Sequence, residues 1–240
     1  MIIGAGGDAS RDGLPVLIVT GLKQEARIAA GPGLTVICSS SNPVQLREMM
    51  TSFDPASIRG IVSFGVAGGL NPALRSGDIV IASEIVTAEK RWATATALTE
   101  MLISLPVKGR RNVVNGVLAG VEEVVLGQVG KAALRATSGA DAVDMESHIA
   151  ARYAEHHDLP FAALRVISDP AHRALPQLAA NALKPNGNVD IWKVVRGIAR
   201  QPSEIRALVH SGRDFNRALR GLKSYRNRLD GSESLAGSAT

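Results

Sequence analysis

The chain has 240 residues, 45% of them hydrophobic, enough for one α/β domain with a full core. Aromatics are only 3%, so that core must be built from Ala, Val, Leu and Ile, and the lone Cys38 excludes an internal disulfide framework and fits a reducing compartment. The net charge of +5 is uneven: eleven Lys and Arg against three Asp and Glu fall between Lys184 and Arg228, and the default reading of that run is a solvated helix face rather than a nucleic-acid site.

Residues 1–14 are Gly-rich and polar and are expected to form a flexible extension; lacking a basic start and an apolar core, they do not read as a signal peptide. Val16 to Thr20 reads as a strand, Gly21 as a turn, and Lys23 to Ala30 as a helix ended by Gly31, Pro32 and Gly33. Leu34 to Cys38 is a second strand, with Cys38 a buried, inert thiol. Ser39, Ser40, Ser41 and Asn42 form a turn that opens a helix, Asn42 as N-cap and Pro43 in the first helical position, with Leu46, Met49 and Met50 inward. Gly60 to Phe64 is a third strand, running into a glycine loop at Gly65 to Gly69. Asp78 to Ser83 and Val113 to Leu118 are further strands, and Thr94 to Ile103 and Lys131 to Arg135 fall in helices.

The stretch from Ala140 to Asp169 organises the rest. An apolar strand ends at Asp144, Met145 and Glu146; a helix follows with Ile149, Ala150, Tyr153 and Ala154 on one stripe; Asp158, Leu159 and Pro160 break it. A second apolar strand, Phe161 to Ile167, ends in Ser168 and Asp169. Two parallel strands joined by one crossover helix would deliver both carboxylates to one edge of an open sheet, where ligands bind. Strand alternation turns Asp144 to the opposite face. Beyond Asp169, Ile191 to Ile198 and Ile205 to Leu222 mark two amphipathic helices, placing Lys193, Arg196, Arg200, Arg206, Arg213, Arg217, Arg220 and Lys223 outward. The tail from residue 229 is Ser- and Gly-rich and expected to be disordered. No apolar run reaches the length of a membrane span, and no pair of side chains has metal-ligand spacing, so no metal is expected.

Val143, Asp144, Met145 and Glu146, followed by Arg165 to Asp169, resemble the purine nucleoside phosphorylase and nucleosidase superfamily. Phe64 to Leu70 and Ser76 to Val80 add a third element in the expected order, and the similarity extends from Val16 to about Leu222. Within that superfamily the chain is most similar to the hopanoid-associated phosphorylases, through Val19 to Leu22, Glu25 to Ala29, Asn115 to Gly120 and Ser168 to Ala171. The resemblance implies a single-domain, three-layer α/β fold over residues 15–228 with a mainly parallel or mixed central sheet. It also implies release of adenine from an adenosyl compound, adenosylhopane above all, at least a homodimer, and no cofactor, phosphate being a co-substrate.

Roles follow from the same resemblance. Asp169 protonates the leaving purine, a task for which burial would have to raise its pKa. Glu146 holds the ribose hydroxyls and favours the positive charge that develops on the sugar, with Met145 beneath it. Ala67, Gly68, Gly69 and Ser168 lie at the base. Gly21, Arg27, Ser39, Ser40, Ser41 and Asn42 are the candidates for phosphate, as hydroxyls and a cation beside a helix N-terminus. Val66 stands where phosphorylases of this superfamily often carry a phosphate-binding serine. Glu25 stands where related nucleosidases keep a glutamate that activates water, so hydrolysis of a small thioadenosine is the alternative, and a silent nucleoside- or lipid-binding protein a third reading. His172 and Arg173 are candidates to line the site from a loop. A lipid-linked substrate would place this cytoplasmic enzyme at the membrane surface, docked through its C-terminal cations.

Overall fold

The computed structural model describes residues 11, 13–105, 111–174 and 205–236. The expected N-terminal extension, the helix over Ile191 to Ile198, and Lys193, Arg196 and Arg200 therefore lie outside the described residues.

Eight strands form one mixed sheet: β1 (Val16–Thr20), β2 (Leu34–Cys38), β3 (Gly60–Gly69), β4 (Ile79–Val86), β5 (Arg91–Ala93), β6 (Val113–Gly120), β7 (Ala142–Asp144) and β8 (Phe161–Asp169). Helices α1 (Lys23–Ala29), α2 (Pro43–Thr51), α3 (Thr96–Ser104), α4 (Gln128–Ser138), α5 (Ser147–His156) and α6 (Ile205–Ala236) surround it. Local chemistry sets several boundaries. Asn42 Oδ1 accepts from the N–H groups of Val44 (3.0 Å) and Gln45 (3.2 Å), capping α2. Gly139 ends α4 at φ 73°, a left-handed conformation that suits glycine.

The core has two main faces. On one, Leu46 and Met50 of α2 pack with Ile149, Ala150 and Ala154 of α5 over Leu17, Val19, Ile61 and Phe161. On the other, Ala29, Leu102, Ala218, Leu222 and Tyr225 from α1, α3 and α6 cover Ile18, Phe64, Leu164 and Val166. Ala, Val, Leu and Ile make up most of both faces, as the shortage of aromatics requires. Asp78 is structural, accepting from the N–H groups of Arg75 (2.9 Å) and Asn112 (3.1 Å) at the turn before β4. Cys38 is half-buried rather than buried, because β2 is an edge strand.

The sheet is not open. β8 pairs in parallel with β3 and antiparallel with β4, while β3 pairs with β7, β7 with β6 and β6 with β4. These five strands close a ring, with β1, β2 and β5 outside it. β7 runs antiparallel to β3, and β8 parallel to it. The two acidic strand ends are thus not neighbouring parallel ends; both reach the site by flanking the far end of β3. The expected glycine loop is itself strand, since Gly65 to Gly69 complete β3 with their backbone paired to β8 and β7.

Helix α6 runs to Ala236, past the point where the tail was expected to lose order. Its inward face carries Asp214, Ala218, Leu222, Tyr225 and Arg226 onto the domain. A helix nucleated by such packing extends at little further cost.

Candidate active site

A cavity of about 150 Å³ opens where β1, β3, β7 and β8 converge. Gly21, Leu22, Glu25, Ser41, Val66, Ala67, Gly68, Asp144, Met145, Glu146, Ser168 and Asp169 line it, with Val121, Val124 and Val125 beside them. The structure thereby brings together all three predicted catalytic carboxylates, Met145, and most of the residues assigned to the base.

Glu25 forms part of the cavity wall. It stands in the first turn of α1 yet is only 2% exposed. Its Oε2 accepts the N–H groups of Gly21 (2.9 Å) and Leu22 (2.8 Å), donors left free by the start of the helix. Its Oε1 accepts the N–H of Val66 on β3 at 2.8 Å. Burial raises its pKa, against the opposing pull of Arg165 and these three N–H groups.

Arg165, on β8, is 1% exposed and binds the cluster together. Its Nε lies 2.5 Å from Asp144 Oδ2, and its Nη2 donates to Ser63 Oγ (2.6 Å), Ser147 Oγ (3.2 Å) and Glu146 Oε2 (3.4 Å). Its Nη1 makes no hydrogen bond with the described residues. Gly65 makes room for this guanidinium: a Cβ there would stand 2.4 Å from Nη1 and 2.7 Å from Glu25 Oε1. Asp144 faces the cavity, contrary to strand alternation, because the chain is already bending from β7 into α5; Glu146, two residues on, has the helical φ and ψ of −114° and −37°.

Glu146 is 7% exposed, and its Oε1 lies 2.5 Å from where a Cβ on Gly21 would be. Both Glu25 and Glu146 therefore crowd Gly21. Burial pushes the Glu146 pKa up to about 8; Asp144 and Glu25 push the same way, and Arg165 opposes them.

Asp169 closes the far side. Its Oδ1 accepts from Ser168 Oγ (2.6 Å), and its Oδ2 lies 2.6 Å from Lys131 Nζ. Burial was the feature expected around this acid; the structure adds a cation, Lys131, against one of its oxygens. Gly68 lies against this carboxyl: its Cβ would be 3.3 Å from Oδ2. Gly69 does not line the cavity; its missing side chain leaves room for Ile167 and Pro170.

The predicted phosphate set divides. Gly21 and Ser41 line the cavity. Arg27 is exposed on α1, since the turn that buries Glu25 and Ala29 turns residue 27 outward. Asn42 spends its side chain on the α2 cap, and Ser39 is fully buried. Ser40 and Ser41 hold left-handed φ values of 55° and 58°, which send the Ser41 N–H to Gly21 O at 2.7 Å. His172 is exposed, and Arg173 pairs with Asp214 of α6 instead of facing the cavity. Arg165 and Lys131, which the sequence shows only as part of a motif and of a helix, are the cations that touch the site carboxylates among the described residues. Among the described residues no group of His, Cys, Asp and Glu is placed to hold a metal ion, and no helix is long and apolar enough to cross a membrane.

This architecture has solved counterparts. The 5′-methylthioadenosine/S-adenosylhomocysteine nucleosidase from Neisseria meningitidis, in complex with methylthio-immucillin-A, superposes with a TM-score of 0.67 at 16% identity over 91% of this chain and 99% of its own. The nucleosidase of the same name from Helicobacter pylori gives 0.65 at 16% identity over 92% and 98%. Futalosine hydrolase of Helicobacter pylori gives 0.62 at 17% over 90% and 98%. At such identities these likenesses establish the fold. The sequence goes further, for residues 16–187 match the family model of the Phosphorylase superfamily, and with that span covering well over half of the chain, the protein belongs to that superfamily.

Proposed function

We propose that the protein cleaves the N-ribosidic bond of an adenosyl-type nucleoside, with water as the acceptor. The observation that carries this reading is the fixed Glu25 carboxylate. Three backbone N–H groups hold it at the cavity wall, and Arg165 Nη1 lies on the same side of Gly65. A carboxylate whose pKa is raised by burial is a competent base for water. Asp169 serves the leaving base, and Glu146 with Met145 serves the ribose. The nucleosidases and the hydrolase that share the fold fit the same chemistry.

The charge balance argues against a phosphate dianion. Arg165 is already paired with Asp144, and Arg27, the cation assigned to phosphate, points to solvent. Adenine release by dialysed enzyme tests the choice, with the sugar product identified as free ribose or ribose 1-phosphate. Full-rate release without phosphate, giving free ribose, is expected; strict dependence on phosphate would reverse the assignment.

A second reading has its own observation. Val121, Val124 and Val125 give the cavity an apolar flank, and Val124 is 44% exposed. Such a flank suits an apolar 5′ substituent, as in adenosylhopane, which the sequence resemblance favours together with phosphorolysis in hopanoid biosynthesis. A homodimer working in the cytoplasm at the inner membrane face belongs to this reading. Arg213, Arg217, Arg220 and Lys223 all lie exposed on α6, available to an anionic surface.

A further inference from the structure

Helix α4 buries one residue completely, and that residue is Lys131, at 1% exposure. Placing an ammonium where an amphipathic helix would put an apolar side chain is costly unless its N–H groups all find acceptors. They do: Nζ lies 2.6 Å from Asp169 Oδ2, 3.0 Å from Asp169 O, 3.1 Å from Arg173 O and 3.2 Å from Pro170 O. Three of these acceptors are main-chain oxygens at and just after the end of β8. The fourth and shortest contact is to the carboxylate facing the cavity.

We propose that Lys131 is a positioning residue for Asp169, an ammonium set in place to receive the negative charge left on that carboxyl when its proton passes to the departing base. The proposal rests on the reading of Asp169 as the group that serves the base. As the bond between ribose and base breaks, its electron pair moves onto the purine. Asp169 enters the step protonated, and its proton passes to a nitrogen of the imidazole ring while the O–H electron pair stays on the carboxylate beside Lys131. The ribose carbon takes the oxygen of water, whose proton goes to Glu25. Charge thus appears on Asp169 during the step, 2.6 Å from a cation that needs no rearrangement to meet it.

The neighbours of the pair leave Lys131 this task. Among the described residues it is the one cation in contact with Asp169. Arg173, on the adjoining turn, is committed to Asp214 of α6, and His172 offers only its carbonyl, to Gln128 of α4. Arg165 is held by Asp144 and Glu146 across the cavity. Ser168 Oγ fixes the other carboxyl oxygen, so Lys131 and Ser168 together set the plane of the group.

A merely structural lysine and a charge-receiving one differ in what they do to substrates that need no acid. The test compares adenosine with p-nitrophenyl β-ribofuranoside, whose leaving group departs as a stable anion. Lys131→Met keeps the unbranched shape and most of the length of the side chain and removes the charge. Its kcat on adenosine should fall about 100-fold with KM changed less than about 3-fold, while the nitrophenyl riboside stays within about 3-fold of wild type. Asp169→Asn should show the same selectivity, and the double variant should be no slower on adenosine than Asp169→Asn alone. Equal losses on both substrates, or multiplied losses in the double variant, would overturn the proposal. Asp169→Asn with wild-type adenosine turnover would instead remove Asp169 from the reaction, a separate failure of the functional reading. Should Lys131→Met not fold, Lys131→Ala with added ethylammonium serves: restored adenosine turnover supports the proposal, and its absence at saturating amine refutes it.

Discussion

Replacing Glu146 by Gln should stabilise the folded protein in alkaline solution while damaging its chemistry. The carboxyl has a pKa near 4.5 in the unfolded chain and about 8 in the native state. Between those values the folded protein binds more protons than the unfolded one, so stability falls as pH rises through this window, and the full penalty is present above pH 8. At about 1.4 kcal/mol for each pH unit the ceiling is roughly 5 kcal/mol. Coupling to Glu25 and Asp144, which relax when one charge is removed, and the lost attraction to Arg165 at 3.4 Å both reduce it. A gain of about 2 kcal/mol at pH 9 is the expected remainder. Arg165 keeps Asp144 at 2.5 Å, so the variant does not strand a buried cation. Urea unfolding of both proteins at pH 5, 7 and 9 measures the effect. The curves should lie close at pH 5 and separate by pH 9, with the variant above. Parallel curves, or a variant weaker at pH 9 by the same margin as at pH 5, would refute the assignment of a strained carboxyl.

Other perturbations probe neighbouring features. Gly65→Ala places a methyl group 2.4 Å from Arg165 Nη1 and 2.7 Å from Glu25 Oε1, both buried. It should cost about 3 kcal/mol, a fall of roughly 6–12 °C in Tm, along with most of the activity; an unchanged melting curve would show that the cluster can yield. On the outer face of α6, Arg220→Glu with Lys223→Glu should abolish low-salt co-sedimentation with anionic vesicles, at about 1 kcal/mol for each cation removed. Wild-type protein that pellets equally with neutral vesicles, or with neither kind, would leave those residues as a solvated face.

Local signals in this sequence were legible wherever one residue decides a boundary. The strands Val16–Thr20 and Leu34–Cys38 and the Asn42 cap of α2 emerge as read, because apolar runs, Gly and Pro punctuation and a capping side chain act within a few residues. Gly65 to Gly69 misled, since glycine marks both loops and strands where another side chain must cross; only the tertiary position of Arg165 separates the two. The site shows the same division. Asp169, Glu146 and Glu25 carry the motif, and the fold gathers them. Lys131 was invisible, because one lysine in an amphipathic helix looks solvent-facing until the turn after β8 is placed against it. Arg27 failed for the converse reason: the turn of α1 that buries Glu25 must rotate residue 27 away. The short β5 was missed because a run of three residues, two of them exposed, is too short for alternation to be read.

The ring of strands gives β8 an unusual place in the assembly of the protein. It is bonded to β3 on one side and β4 on the other, so the barrel cannot close until the chain has been made through Asp169. Arg165 and Asp169 travel on that strand. Before it docks, Glu25, Asp144 and Glu146 have no guanidinium between them, and their mutual repulsion opposes premature collapse of the half-built cavity. Such late, long-range pairing is slow compared with helix formation. Competence to bind a nucleoside should therefore appear in a single step with ring closure, after most helical signal has developed, and chains arrested before Phe161 should lack the pocket altogether.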